Sequence, residues 1–282
     1  MVKVINAGFY TTIQDLGRFG FQKYGVPVSG VMDNYSARIA NALLGNEENE
    51  AILEITMSGP TLQFNCNTII CVSGADFSPK LNDNPIKINH AIYVKEHDVL
   101  SFDNPKYGFR CYLAVSRGFQ TEIVMNSRSM YNEITSQNTI STNDELSILE
   151  HSVSSERKNA SIRIDLNHFT TKKLEAFKGP EYELLTKNQQ QQLLLEEFTI
   201  SKDNNRMAYQ FDEVFENTLE PIITSLVLPG TVQLTPSGSL IVLMRDCQTT
   251  GGYPRVLQLS DAAINVLSQK VTGNKIHFKI KE

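Results

Sequence analysis

Apolar and polar residues alternate with a period of two along much of the chain. The alternation is clear in residues 62–67, 109–116, 161–166 and 276–280, and continuous apolar runs occupy residues 240–244 and 256–259. Short alternating segments bounded by Gly, Asn, Asp and Pro are typical of half-buried antiparallel strands, and short apolar runs of fully buried ones. The chain is therefore predicted to be mainly β, built from barrels or sandwiches.

Helical periodicity is limited to a few short segments. Residues 33–44 place Ile39, Ala40, Leu43 and Leu44 on one face, with Asp33 as the N-cap and Gly45 just beyond the C-terminus. Further helices are predicted at residues 171–178, 188–197 and 260–269, the last of them capped by Ser260.

Length and charge narrow the class of protein. The chain has 282 residues, enough for one large domain or two of ordinary size. The polar, aperiodic segment 151–159 predicts a linker between two β-rich domains, residues 1–158 and 159–282. The net charge is −5 and the basic residues are scattered, so nucleic acid and anionic membranes are not expected as partners. No apolar run could span a bilayer, and a soluble cytoplasmic protein is expected.

A polar loop lies between the two apolar runs near the C-terminus. It reads Gln248-Thr249-Thr250-Gly251-Gly252-Tyr253-Pro254. Adjacent glycines let the backbone reach positive φ or approach a ligand closely. A decorated β-turn explains the loop as well as a ligand-binding loop does, because Gly-Gly is a common turn signal.

A second polar cluster lies near the N-terminus. Gln14, Asp15 and Arg18 bring an amide, a carboxylate and a guanidinium together within five positions. Asp15 and Arg18 could form an ion pair that contributes little at a surface. Alternatively, Arg18 could bind a substrate carboxylate with two hydrogen bonds. The sequence leaves both interpretations open.

Several catalytic motifs are missing from the sequence. There is no G-x-x-x-x-G-K-[ST], no strand-to-helix G-x-G-x-x-G, no H-E-x-x-H and no G-x-S-x-G. The four cysteines form no C-x-x-C pair, so buried free thiols are expected and no metal site.

Several ordered motifs together resemble one family. The matching segments are residues 12–18, 25–33, 40–46, 53–56 with 59–60, and 248–254. They resemble the family of the 5-oxoprolinase C subunit, also described as biotin-dependent carboxyltransferase-like or allophanate hydrolase subunit 2. The resemblance implies two cyclophilin-like β-barrel domains and a hetero-oligomer with the B and A subunits as partners. It also implies ATP-dependent hydrolysis of 5-oxo-L-proline, a lactam, to L-glutamate, with ATP held in the complex, on this chain or on a partner.

The resemblance also suggests roles for particular residues. Gln248, Thr249 and Thr250 would stabilise an oxyanion, and Asp15 would orient the substrate or act as a base. The remaining candidates would bind substrate: Gln14, Arg18, Ser29, Asp33, Arg206, Tyr209, Gly251, Gly252 and Tyr253. Two segments, 126–130 and 206–211, depart from the family pattern, the second by Ala208 and Gln210 where the family has a glycine and an arginine. Ser127 and Arg128 could bind an anion or shape a turn.

Other members of the same family have two alternative functions. One is the carboxyltransferase component of a biotin-dependent urea carboxylase, and the other is a regulatory protein that antagonises a kinase inhibitor. The chain has no Met-Lys-Met biotin attachment site, so biotin would arrive on another protein.

Overall fold

The computed structural model describes residues 1–150, 162 and 164–281, which form two compact units. Unit 1 comprises Met1–Arg18 and Ser29–Leu166, and unit 2 comprises Phe19–Val28 and Asn167–Glu282. The predicted linker 151–159 and the predicted boundary at 158/159 lie outside the described residues. The short segment Phe19–Val28 clusters with the C-terminal part of the chain, although it lies in the N-terminal sequence.

Unit 1 contains two antiparallel sheets. Its elements are β1 (Val2–Asn6), β2 (Tyr10–Gln14), α1 (Asn34–Leu44), β3 (Ile52–Thr56), β4 (Thr61–Phe64), β5 (Thr68–Asp76), β6 (Lys80–Leu81), β7 (Asn84–Pro85), β8 (Ile92–Val94), β9 (Val99–Ser101), β10 (Tyr107–Val115) and β11 (Glu145–Leu146). The strand order is β11-β1-β4-β9-β6-β7 in one sheet and β2-β3-β10-β5-β8 in the other.

An apolar core lies between these two sheets. Val4 and Phe64 from the first sheet and Leu53 and Val72 from the second are buried in the same cluster. The opposite face of the second sheet is covered by α1, whose apolar residues pack on Cys71, Tyr112 and neighbouring side chains. Burial of this surface is the main favourable contribution to folding.

Unit 2 is a closed seven-stranded barrel in the order β12-β19-β16-β17-β14-β13-β20, with a separate two-stranded ribbon of β15 and β18. Its elements are α2 (Asn167–Thr170), β12 (Lys173–Lys178), α3 (Lys187–Leu195), β13 (Phe198–Asn204), β14 (Ala208–Val214), β15 (Ser225–Leu226), β16 (Thr231–Leu234), β17 (Ser239–Leu243), β18 (Thr250–Gly251), β19 (Arg255–Leu259), α4 (Asp261–Ser268) and β20 (Lys275–Ile280). Phe198, Phe211, Phe215 and Phe278 pack together among the buried side chains.

The predicted fold class is confirmed. Strands hold 36% of the residues and helices 14%, so the protein is mainly β with a few short helices. The helices near 33–44, 188–197 and 260–269 are present. Asp33 and Ser260 are N-caps as predicted, and Gly45 follows α1 in the left-handed conformation. None of the helices in the described part of the chain is long and apolar enough to cross a membrane.

Two sequence-based predictions of secondary structure are wrong. The predicted helix at 171–178 is strand β12, in which Leu174 and Ala176 are buried and which pairs with β19 and β20. Its local preference is overridden by pairing with two neighbours far along the chain. The predicted strand at 161–166 is absent from the described residues there, 162 and 164–166, and Leu166 is 60% exposed.

Candidate functional site

Asp15 organises a turn in unit 1. It is 4% exposed, and its carboxylate accepts hydrogen bonds from Gly17 N (2.9 Å), Ser127 Oγ (2.7 Å), Arg128 N (2.7 Å) and Ser129 Oγ (2.6 Å). Three of these donors meet Oδ1 and one meets Oδ2, so the carboxylate is held firmly within the turn. This arrangement favours the turn-shaping role of the 126–130 segment over anion binding, and gives Asp15 a structural role in this chain.

Arg18 stabilises the same turn. Its side chain is fully buried, with Nε donating to Val124 O (3.0 Å) and Nη2 to Ser129 O (2.8 Å). These bonds hold the backbone on both sides of a tight turn at Met125 and Asn126, which have positive φ. A surface ion pair with Asp15 does not describe this buried arrangement. Binding of a substrate carboxylate by Arg18 stays a prediction.

Gln14 and Ser29 are also fully buried. Gln14 Nε2 donates to Thr12 Oγ1 and to Met130 O, both at 3.1 Å, while Gln14 Oε1 and Ser29 Oγ have no hydrogen-bond partner among the described residues. Gly30 has φ +86°, and a Cβ there would lie 2.8 Å from the backbone nitrogen of Gly17. Only glycine fits this crossing of two backbone segments.

Asp33 is an N-cap inside a buried network. Its carboxylate accepts from Ser36 N (3.2 Å) and Ser36 Oγ (2.6 Å), and its backbone N–H donates to Tyr112 Oη. Tyr112 in turn donates to Glu54, which also accepts from Met32 N at 2.6 Å. Burial raises the pKa of Tyr112, which keeps its hydroxyl a donor. These buried hydrogen bonds hold the loop formed by residues 29–33 in place.

A cleft of about 250 Å3 opens beside Asp15. Glu47 and Glu50 follow α1 in the chain, and Arg128 also lines the cleft. Burial raises the pKa of Glu50, with Arg128 opposing this shift and Glu47 reinforcing it. Three carboxylates against one guanidinium make the cleft acidic, which disfavours an anionic ligand there.

The Gln248–Tyr253 loop of unit 2 presents its side chains outward. Gln248 and Thr250 are exposed, Thr249 is half-buried and Tyr253 is 39% exposed. Their side-chain polar atoms bond to no other described residue. The amide, the two hydroxyls and the phenol are therefore available to a ligand in this chain.

The backbone of this loop is nevertheless well held. Ser225 and Leu226 of β15 pair with Gly251 and Thr250 of β18, and Val227 N donates to Thr249 O at 3.1 Å. Arg255, just after the loop, donates from Nη1 to Leu226 O at 3.1 Å while pairing with Glu181. The loop is thus part of a two-stranded ribbon and not a simple turn.

The two adjacent glycines do not provide the positive φ that the sequence suggested, while close approach of a ligand to them stays a prediction. Neither Gly251 nor Gly252 has a positive φ. At position 251 a Cβ would instead lie 2.6 Å from Gln233 Nε2. At position 252 the nearest atom would be Ile222 O at 3.3 Å, a contact that is tight but not prohibitive. Gly251 is therefore favoured by close packing against a buried side chain and not by backbone conformation.

Arg206 and Tyr209 are buried. Arg206 forms a two-pronged ion pair with Asp246, Nε to Oδ2 at 2.7 Å and Nη2 to Oδ1 at 3.0 Å. Tyr209 is fully buried in the barrel wall and donates to Lys270 O at 3.4 Å. Asp246, the partner of Arg206, was not among the residues predicted from sequence, although a carboxylate just after an apolar run was a signal for it.

The four cysteines are free thiols, and Cys66 alone among them is not buried. Burial raises the pKa of Cys71 and Cys247 to about 12 and raises that of Cys111 as well. A nucleophilic role for Cys247 is disfavoured, because the thiolate is the reactive form. No group of three metal-ligating side chains occurs among the described residues.

The Asp15 turn and the Gln248–Tyr253 loop lie in a mainly β protein whose class is identified by comparison with known proteins. The chain belongs to the family of the carboxyltransferase domain, subdomains A and B, whose sequence model matches residues 24–280. Two bacterial relatives extend the similarity over nearly the whole chain. The 5-oxoprolinase C subunit of Escherichia coli K12 is 33% identical over 99% of this chain and 90% of its own length. That of Haemophilus influenzae is 32% identical over 99% and 91%.

Longer proteins contain similar segments. The urea amidolyase of Lachancea kluyveri is 41% identical over 46% of this chain, and the match covers 7% of that protein. TTHA0988 superposes with a TM-score of 0.87 over 99% of this chain at 24% identity, and this chain spans 55% of it. The Kluyveromyces lactis urea amidolyase superposes with a TM-score of 0.86 over 98% of this chain at 26% identity, and this chain spans 18% of it. The fold therefore occurs within longer polypeptides.

Proposed function

We propose that this chain is the C subunit of an ATP-dependent 5-oxoprolinase, which hydrolyses 5-oxo-L-proline to L-glutamate together with the A and B subunits. The observation that carries the proposal is the near full-length similarity to two 5-oxoprolinase C subunits. One member of such a complex implies partner subunits, and activity is expected only in their presence.

The exposed loop supplies donors suited to this chemistry. Hydrolysis of a lactam places negative charge on the former carbonyl oxygen when water adds to the carbon. Preorganised neutral donors stabilise such an oxyanion more effectively than solvent does. The Gln248 amide and the Thr249 and Thr250 hydroxyls are the donors assigned this role, with the Gly251–Gly252 backbone and Tyr253 binding the rest of the substrate.

The candidate residues of this chain do not fit a triphosphate. Arg18 donates to backbone carbonyls of its own turn, and Arg206 is bound by Asp246. The Asp15 cleft is acidic, and the Gln248–Tyr253 loop carries no cation. We therefore assign ATP to a partner subunit.

Reconstitution tests the proposal. The chain is purified and mixed with the A and B subunits of a 5-oxoprolinase, and labelled 5-oxoproline is followed to glutamate with and without ATP. We expect ATP-dependent turnover by the complex and none by the chain alone. Lys202→Ala, an exposed position on β13, serves as the control variant. A complete complex that forms but never turns over would count against the proposal.

A second function is favoured by one specific observation. The similarity to urea amidolyases reaches 41% identity, although over less than half of this chain. The alternative is therefore carboxyl transfer from a biotinyl carrier protein to urea or a related amide. Labelled bicarbonate, a biotin carboxylase and a biotinyl carrier are supplied with urea as acceptor. Label transfer that depends on this chain would favour the alternative over 5-oxoproline hydrolysis.

A further inference from the structure

Gln233 lies beneath the Gln248–Tyr253 loop in the wall of the barrel. It is 2% exposed, on β16, and its register partners are Ile241 on β17 and Arg255 on β19. These are the two strands that enter and leave the loop. A primary amide buried at such a place is costly unless its polar atoms are bonded. Burial of the Gln233 amide at this position is therefore not explained by packing alone.

The amide of Gln233 contacts the loop at two points. Nε2 donates to Tyr253 O across a long bond of 3.4 Å. The same nitrogen lies where it would be 2.6 Å from a Cβ at position 251. Since Gly251 has no positive φ, the constraint on a side chain at this position is that the Gln233 amide would have to move. The Gln233 amide therefore lies directly against the backbone of the loop at Gly251 and Tyr253.

The other side of the loop is held by the ribbon. Ile222 N donates to Gly252 O at 2.9 Å and Val227 N donates to Thr249 O at 3.1 Å. Residues 222–227, which include β15, therefore hold the loop along one edge, while the Gln233 amide contacts it from the barrel wall. The side chains of Gln248, Thr249 and Thr250 are left for a ligand, because no described residue bonds to them.

We propose that Gln233 is a positioning residue for this loop, holding the Gly251–Tyr253 backbone so that the exposed donors converge on the carbonyl oxygen of an amide or lactam substrate. The inference rests on the proposed function for its substrate and on the geometry for its support of the loop. Gln233 itself contacts no reacting atom. Displacement of a catalytic group by about 1 Å can cost on the order of 100-fold in rate.

A matched pair of variants separates positioning from general stability. Gln233→Met keeps the length of the side chain and removes the donor. Gln258→Met makes the same change on β19, where Gln258 is half-buried and bonds Pro229 O and Thr231 Oγ1, away from the loop. Hydrogen exchange of the peptide covering 248–254 is measured in both, on the full chain. We expect faster exchange in Gln233→Met and unchanged exchange in Gln258→Met.

A double-mutant cycle tests the contact with Gly251. Gly251→Ala is expected to raise loop exchange, because its methyl group meets the Gln233 amide. In a Gln233→Ala background the same change should have a smaller effect, since the space is then open. In the reconstituted complex, Gln233→Met should lower kcat by about 10- to 100-fold with little change in KM, and Gln258→Met should stay near wild type.

The two proposals fail in distinguishable ways. Unchanged loop exchange in Gln233→Met, or strictly additive effects of Gly251→Ala and Gln233→Ala, would overturn the positioning role whatever the activity. Altered loop exchange with no 5-oxoproline turnover even in the wild-type complex would support the positioning role and refute the proposed substrate.

Discussion

Replacing Asp15 with asparagine tests whether this residue is structural or catalytic. The carboxylate accepts from Gly17 N, Ser127 Oγ and Ser129 Oγ through Oδ1, and from Arg128 N through Oδ2. The asparagine amide has only one acceptor oxygen. In either orientation its NH2 group faces a backbone N–H, that of Arg128 or that of Gly17, while the serine hydroxyls can rotate to adapt.

The expected cost follows from that geometry. One hydrogen bond to a charged acceptor is lost, worth about 1.5–3 kcal/mol, and one buried donor is left unsatisfied, which costs about 1–3 kcal/mol. Since the two contributions overlap, we expect Asp15→Asn to destabilise the turn by about 2–4 kcal/mol. Every 1.4 kcal/mol is tenfold, so amide exchange in residues 124–130 should rise by about 30- to 700-fold.

The assay is hydrogen exchange of that segment together with urea unfolding of the full chain. Asp83→Asn is the control, because Asp83 is an exposed hairpin residue with positive φ, which asparagine tolerates. It should change stability by less than about 0.5 kcal/mol. If Asp15→Asn leaves exchange and stability unaltered but abolishes turnover of the reconstituted complex, the structural interpretation is refuted and the residue is a base.

Three further predictions test other contacts. Arg18→Lys should destabilise unit 1 by about 2–4 kcal/mol, because one ammonium cannot reproduce two directed guanidinium bonds; urea unfolding against Lys3→Arg, an exposed position on β1, measures this. At pH 8 a thiol reagent should label one cysteine in the native protein, Cys66, because the other three are buried with raised pKa values; mass spectrometry locates the label, and rapid native labelling of Cys247 would contradict the structure. Arg255 lowers the pKa of Glu181, so their pair stabilises the protein above the ordinary glutamate pKa of about 4.3 and loses this effect as pH falls through the lowered value. The stability advantage of wild type over Glu181→Gln should therefore shrink as the pH falls from about 4.3 through the lowered pKa of Glu181, and an advantage independent of pH would exclude this ion pair as its source.

The sequence determined the features that depend on neighbouring residues. Alternation of apolar side chains identified the mainly β fold, and Asp33, Gly45 and Ser260 marked the ends of two helices, because caps act within one turn. The motifs at 12–18 and 248–254 identified the family, which the comparisons confirm. Where a local pattern was weak, as at 171–178, the prediction of a helix was wrong because strand pairing decided the outcome.

Only the tertiary structure decided what the polar residues of those motifs do. Asp15 meets Ser127 and Ser129 more than 110 positions away, so its carboxylate is occupied by the protein's own donors. The candidate loop pairs with the earlier strand β15, and the buried Gln233 amide lies close to Gly251. Such contacts join segments that are distant in sequence, and their energies depend on burial and distance. A local pattern of residue types contains neither quantity.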